Sequence, residues 1–250
     1  MSNEEVDQVL RVLGDMGQEA VGSMGDDTPM AVLSSKERLV TDYFRQKNLL
    51  KSLTLLSIHC VKKHVMSLAT SIGQEMNVFC ETDGHAHRVT FGSPVLLYSD
   101  MQQLLNLNDD HYRSTVIDIN YNPEEKDLEK AIQDLCEQVV EVVQNGTVLV
   151  VLSDRNLTKG LLPIPAAMAV GAVQSRLIEA NLRCDANIIA ETGTVRDPHQ
   201  FAVLLGFGAT AVYPYLAYEA LGKVIDDGGI EKSYRDVMQK LPIWYQQRPL

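Results

Sequence analysis

The 250-residue chain has no excess of positive charge and no long apolar run. Its 22 Lys and Arg residues stand against 33 Asp and Glu residues, which gives a net charge of −11. A chain this acidic has no basic stripe with which to neutralise phosphates, so we expect no nucleic-acid partner. Its apolar runs are strand-length, well below the roughly 20 residues that a membrane-spanning helix needs. We therefore expect no membrane partner either.

Cysteine is also scarce. Cys60, Cys80, Cys136 and Cys184 are widely separated and form no CxxC pair. Scattered thiols of this kind are typical of a reducing compartment and of inert side chains, and clustered metal ligands are missing. The acidic N-terminus, MSNEEVDQ, lacks the basic and apolar regions of a signal peptide. These features predict a cytoplasmic protein without a metal site.

The most informative pattern is an alternation of strand-like and helix-like segments in the second half of the chain. Short β-branched runs at 147–152, 187–190 and 209–213 are separated by two apolar patterns of helical length. Such alternation is typical of βαβαβ units with parallel strands. The sequence predicts an α/β fold of parallel βα units, either part of a barrel or an open sheet, with a mixed α/β portion at the N-terminus.

Other elements follow from apolar periodicity and from turn residues. Periodicity predicts helices at 4–13 and 64–72 and strands at 93–99 and 115–121. Gly14 is expected to end the first of these helices. Asn122-Pro123, followed by two acidic residues, predicts the start of a further helix, because Asn caps a helix and Pro favours its first turn.

Polar side chains follow the ends of the predicted parallel strands. Asp154, Arg155, Glu191, Arg196 and His199 are expected to converge at that edge, where α/β proteins gather ligand chemistry. One interpretation is a small site for an anion or carboxylate, with Asp154, Glu191 and His199 as acid–base groups of a free-standing enzyme. The other is structural: Asp154 and Asp197 cap helices while Arg155 pairs with an acid such as Glu191.

Other candidate motifs are weak. His85 and His87 of HAHR offer two metal ligands without a visible third, which favours a solvated loop. The adjacent Asp26 and Asp27 suit magnesium but more often cap the following turn. GFGAT at 206–210 lacks the GxGxxG spacing and precedes a strand, so it predicts a tight helix-to-strand turn. No catalytic residue and no cofactor-binding residue is assigned from these patterns.

Long stretches of the chain resemble one family. The similar stretches are 16–34, 42–46, 65–79, 93–100 and most of 146–234, and they include the motifs LSDR, LPIPA, GAV and GFGA. These sequences resemble the central domain of the large subunit of glutamate synthase. The resemblance implies that 1–250 is a partial central domain. Such a domain is a non-catalytic α/β piece that spaces a glutaminase domain and a flavin-binding barrel and lines an ammonia channel.

The resemblance also implies what lies elsewhere. Glutamate synthase converts glutamine and 2-oxoglutarate into two glutamates with NADPH. FMN, a 3Fe-4S cluster, FAD and NADPH belong to other parts of that enzyme, so no cofactor is expected in this chain. The implied partners are the glutaminase and FMN domains of the same polypeptide and a small NADPH-oxidising subunit. In this chain the channel-lining positions implied by the resemblance are Met24, Gly25, Asp26 and Thr28.

Two segments depart from the family wording. Residues 48–62 can be encoded by bases that, read in a shifted frame, give FAQVTNPPIDSLRE, which is close to what the family has there. The tail 240–250 can likewise be encoded by bases that, read in a shifted frame, give a sequence close to that of the family. We therefore predict a frameshifted fragment divided into 1–46, an aberrant 47–63, an α/β core at 64–239 and an aberrant tail. A non-catalytic scaffold and a non-functional product of a disrupted gene are the alternatives.

Overall fold

The computed structural model describes residues 3–17, 39–44, 69–107 and 109–243. The predicted channel positions 24–28, the segment 47–63 and the end of the tail lie outside the described residues. Within them, the strands are β1 Thr70–Ile72, β2 Val89–Phe91, β3 Ser114–Asp118, β4 Asn120–Tyr121, β5 Leu149–Ser153, β6 Leu162–Pro163, β7 Asn187–Glu191 and β8 Ala211–Tyr213. The helices that follow the N-terminal segment are α1 Tyr98–Leu105, α2 Leu128–Gln144, α3 Ala166–Glu179, α4 Pro198–Gly206, α5 Tyr215–Asp226 and α6 Tyr234–Ile243.

A four-stranded sheet forms the centre of the fold. Its strand order is β3-β5-β7-β8, and each neighbouring pair is parallel. Every residue of β5 and β7 is buried, as expected for strands covered on both faces. The predicted parallel βα units are thus confirmed. Two short antiparallel pairs, β1 with β2 and β4 with β6, lie beside this sheet.

The helices bury apolar stripes against the sheet. In α2 the buried residues are Ala131, Leu135, Val139 and Val143, each four residues after the one before. The α4 helix begins where predicted, with the Asp197 side chain accepting a hydrogen bond from the Gln200 amide at 2.8 Å. Among the described residues, no helix combines the length and the apolar character that crossing a bilayer requires.

The predicted start of α2 was wrong by five residues. Asn122 does accept a hydrogen bond from the Glu124 amide at 3.1 Å, but this forms only a local turn. The helix begins after Asp127, whose carboxylate accepts from the Lys130 amide at 2.8 Å. The apolar stripe that packs on the sheet begins only at Leu128, so tertiary packing selects the later of two competent caps.

The N-terminal helix, 3–16, is longer than predicted and has a different relation to Gly14. Its middle turn, Val6–Arg11, is π-helical, and it ends at Gly17 in the left-handed conformation with φ of 65°. Gly14 lies inside the helix and is buried. A Cβ atom there would meet Leu221 at 2.8 Å and Val237 at 2.9 Å. Gly14 therefore permits close packing against α5 and α6 instead of ending the helix.

Two other predicted elements were also wrong in part. The segment 93–99 contributes a single parallel bridge, Val95 to Val212, because Pro94 has no amide to extend the ladder. Helix α1 begins within that segment, where Asp100 accepts a hydrogen bond from the Leu97 amide at 3.1 Å. At the end of the predicted helix 64–72, Thr70–Ile72 is strand β1, since it pairs with β2.

The burial of β7 yields a stability prediction. We expect Ile188→Ala to lower the free energy of unfolding by about 2–5 kcal/mol, because it removes a fully buried side chain and leaves a cavity. The matched control is Val116→Ala on the edge strand β3, where the half-exposed side chain predicts a loss below about 1 kcal/mol. Equal losses in urea unfolding would contradict the assignment of β7 to the centre of the sheet.

Candidate functional site

Three parallel strands end at the same level of the sheet. The register pairs Ser153 with Glu191 and Glu191 with Tyr213, so the last residues of β5, β7 and β8 lie side by side. The residues that follow them must therefore meet at one edge, which we call the carboxyl edge. This is the edge where the sequence predicted a polar rim.

Asp154 is the buried centre of this edge. Its side chain follows β5, and the residue is only 5% exposed. The Thr192 hydroxyl donates to its Oδ2 atom at 2.6 Å, and the Gly193 amide donates to its Oδ1 atom at 3.0 Å. Both donors belong to the loop after β7, so the carboxylate ties that loop to the end of β5. Asp154 does not cap a helix, and this part of the structural interpretation was wrong.

Tyr215 completes the surroundings of Asp154. Burial, the negative charge of Asp154 and a hydrogen bond to that carboxylate all raise the pKa of the Tyr215 phenol well above its ordinary range. The phenol therefore keeps its proton at neutral pH. The close fit of this ring also explains Gly193, where an added Cβ would lie 2.9 Å from the Tyr215 hydroxyl oxygen.

Arg155 forms the second layer of the edge. Its Nε atom lies 2.8 Å from Oε1 of Glu191, and its Nη1 atom lies 3.7 Å from Oε1 of Glu219. The guanidinium stacks on the Tyr215 ring at 4.3 Å from the ring centroid. The structure thus pairs Arg155 with Glu191, as one of the two interpretations expected.

The remaining two predicted rim residues do not join this cluster. The Arg196 guanidinium lies 2.6 Å from Oε1 of Glu5, so it fastens the N-terminal helix to the loop before α4. His199 is half-buried in the first turn of α4 and takes no part in the hydrogen bonds and ion pairs that join Asp154, Arg155 and Glu191. Burial raises the pKa of the neighbouring Asp197, although its hydrogen bond from the Gln200 amide opposes the shift.

Sequence reasoning assigned no role to several residues that complete the edge. Thr192 and Gly193 supply the donors to Asp154, while Tyr215 and Glu219 hold Arg155. Their position directly after strands β7 and β8 was the signal available for the first three. Glu219 lies one helical turn into α5, so only the observed packing identifies it.

This arrangement is suited to holding loops together. The charged groups of Asp154, Arg155 and Glu191 each engage a neighbour within the protein. A concavity of about 640 Å³ does lie on the sheet, but at the opposite edge, and its lining includes Arg113, Thr147 and Asp185. These residues flank the beginnings of the strands, which is not where open parallel sheets place their chemistry.

The histidine pair of HAHR gains no third ligand from the part of the chain that the structure describes. No group of three or more His, Cys, Asp or Glu side chains is placed there to hold an ion. His85 Nε2 lies 2.9 Å from the Cys80 carbonyl oxygen, while the His87 ring packs edge-on against His111 at 4.1 Å between centroids.

Comparison with known proteins identifies one family. The family model described as the glutamate synthase central domain matches residues 1–241. The NADPH glutamate synthase large chain of Bacillus subtilis is 32% identical over 238 residues, which is 95% of this chain and 15% of that protein. The ferredoxin-dependent chloroplastic glutamate synthase of Oryza sativa is 38% identical over 226 residues, covering 87% and 14%. The chain thus spans about a seventh of the relatives' length.

Solved structures show a weaker likeness. An arginine-to-lysine mutant of flavocytochrome b2 has a TM-score of 0.36 and 17% identity, over 62% of this chain and 34% of that one. A likeness at this level carries no argument about the site.

The ion pair at the carboxyl edge predicts that removing Arg155 destabilises the fold more than removing an arginine from an exposed ion pair. We expect Arg155→Ala to lower the free energy of unfolding by about 1–3 kcal/mol, because it leaves the nearly buried Glu191 carboxylate unpaired beside a half-exposed surface. Arg176→Ala is the control, since it breaks an exposed pair with Glu179, and we expect less than about 0.5 kcal/mol there. Similar losses in denaturant unfolding would contradict a structural role for the Arg155 pair.

The raised pKa of Tyr215 predicts a pH dependence. Below its ordinary value of 10.0 the phenol is protonated in both folded and unfolded chains, so its contribution to stability is fully present. Above pH 10 the unfolded chain loses the proton first, and stability falls as pH rises. We expect Tyr215→Phe to lower the free energy of unfolding by about 1 kcal/mol at pH 7. Above pH 10 the stability of this variant should fall less steeply with pH than that of the unchanged chain. The half-exposed Tyr234→Phe serves as control, and an unchanged slope for Tyr215→Phe would refute the assignment.

Proposed function

This chain belongs to the glutamate synthase family as its central domain, and on that premise we propose that it is an internal, non-catalytic linking piece of a glutamate synthase large chain. The full enzyme would form two glutamates from glutamine and 2-oxoglutarate with NADPH. FMN, the 3Fe-4S cluster and FAD would be bound by other parts of that enzyme. The partners would be the glutaminase and FMN domains of the same polypeptide and a small NADPH-oxidising subunit.

The observation that carries the linking role is the closed carboxyl edge. Asp154 receives donors from the loop after β7, and Arg155 is held by Glu191 and a tyrosine ring. An acid–base pair needs a group with a pKa near the working pH and access to substrate. Tyr215 is half-buried and its pKa is raised above the ordinary tyrosine value, which makes it a poor proton donor at neutral pH. These contacts support a structural edge over the free-standing enzyme with Asp154, Glu191 and His199.

We propose that Met24, Gly25, Asp26 and Thr28 line the ammonia path. Gly25, Asp26 and Thr28 are small or polar, which suits a conduit that must pass a small polar molecule without binding it tightly. We also propose that 48–62 carries a frameshift that removes the partner segment of this loop. The shifted-frame wording FAQVTNPPIDSLRE supports that proposal, as does the apolar run that stands in its place, which favours aggregation when it is exposed. A cytoplasmic location stays a prediction.

A domain replacement tests the linking and channel roles together. The matching segment of the Bacillus subtilis large chain is replaced by this chain, either as it stands or with 48–62 changed to FAQVTNPPIDSLRE. We expect the restored version to form glutamate in step with glutamine hydrolysis, because the conduit is complete. The unrestored version should release most of its ammonia to solvent. The measurement is free ammonia per glutamine hydrolysed, alongside glutamate formed.

The control is the purified 250-residue chain, which should form no glutamate from glutamine and 2-oxoglutarate and show no flavin absorbance. Stoichiometric FMN on that chain would overturn the non-catalytic proposal. Equal ammonia release from the two replacement chains would separate 48–62 from the conduit. A folded, restored chain that hydrolyses glutamine without forming glutamate would count against the linking role itself.

A further inference from the structure

Exposed apolar side chains surround the closed carboxyl edge. Tyr98, Leu157, Leu162 and Leu216 are all exposed, with Tyr98 at 63% and Leu157 at 51%. We call these four residues, together with Arg155, the carboxyl-edge patch. Isolated exposed apolar residues are ordinary, but several around one edge mark an interaction surface.

The topology brings these residues to one side of the molecule. Leu157 follows Arg155 in the loop after β5, and Leu216 follows Tyr215, the ring on which Arg155 stacks. The Leu216 Cβ atom would lie 3.3 Å from a Cβ added at Gly193, in the loop after β7. The segment before Tyr98 runs parallel to β8, so Tyr98 emerges at the same edge.

Arg155 is a pre-ordered anchor within the patch. Its guanidinium is fixed from below by Glu191 and by the Tyr215 ring, while 41% of the side chain stays exposed. An arginine whose rotamer is already held loses little entropy when a partner covers it, and such anchors are frequent in interface hot spots. One guanidinium faces two carboxylates, Glu191 and the exposed Glu219. Glu219, with 61% of its side chain exposed, is the solvent-facing carboxylate of this pair and lies at the border of the patch.

We propose that the carboxyl-edge patch is the surface on which another domain of the same glutamate synthase polypeptide docks. This inference rests on the proposed function. The occupant is argued from chain length, since 85% of the Bacillus subtilis relative lies outside the match. The exposed carboxylate of Glu219 favours a lysine or arginine on the partner. The leucines of the patch favour apolar side chains beside that cation.

The test uses the Bacillus subtilis large chain carrying this chain, with 48–62 restored, and hydrogen exchange as readout. We expect the amides of 155–162 and 215–219 to exchange about tenfold more slowly, or slower still, in the large chain than in the isolated 250-residue chain. The double variant Leu157→Asp, Leu216→Asp should remove this slowing. Because both side chains are exposed, the variant isolated chain should unfold at the same denaturant concentration as the unchanged one.

The matched control is Ile178→Asp. Ile178 is 55% exposed, close to Leu157, but it lies near the end of α3 and thus at the opposite edge of the sheet. This variant should keep the slowed exchange.

Equal exchange in the isolated and the large chain would overturn the proposal, as would an effect of Ile178→Asp equal to that of the patch variant. Slowing in the isolated chain that grows with its concentration would assign the patch to a second copy and also overturn it.

If the replacement chain does not fold, exchange in the unmodified Bacillus subtilis chain at the aligned segments decides in the same way. Glutamate formation from glutamine separates the two proposals, because it reports on the linking role whether or not the patch is covered.

Discussion

The buried carboxylate of Asp154 is the constraint on which the rest of the carboxyl edge depends. Removing an ionised group from water is costly unless donors replace the lost hydration. Here Thr192 and Gly193 supply those donors from a different βα unit, at 2.6 and 3.0 Å. The loop after β7 can therefore adopt its conformation only when the end of β5 is in place. Tyr215 then brings the start of α5 to the same point.

The second layer follows from the first. Once Tyr215 lies against Asp154, its ring offers a flat face, and Arg155 stacks on it at 4.3 Å. That position brings the guanidinium to Glu191 at the end of β7. Two charged side chains at the ends of adjacent parallel strands thus form an ion pair with each other. In α/β enzymes the same positions face substrate, whereas here the two side chains pair with each other in a fixed geometry.

The sheet was predictable because local and tertiary signals agree there. The β-branched runs of β5 and β7 and the Asp197-Pro198 start of α4 each favour the structure that forms. Prediction failed where two local signals compete, as at Asn122 and Asp127, since only packing of the apolar stripe decides between two competent caps. Asp154 and Arg155 were identified from their position after a strand. The role of Glu219 depends on the rotation of α5, which no residue pattern specifies.

A closed edge and an exposed apolar border are consistent with each other. A catalytic edge must leave polar groups free to reach substrate. An edge whose charges satisfy one another can present leucines and a tyrosine around a fixed arginine, and such a surface gains free energy only when another surface covers it. In the proposed linking role, a neighbouring domain of the same polypeptide would be tethered close to the patch at high effective concentration. Pairing Arg155 with Glu191 thus fixes the guanidinium around which the proposed docking would form.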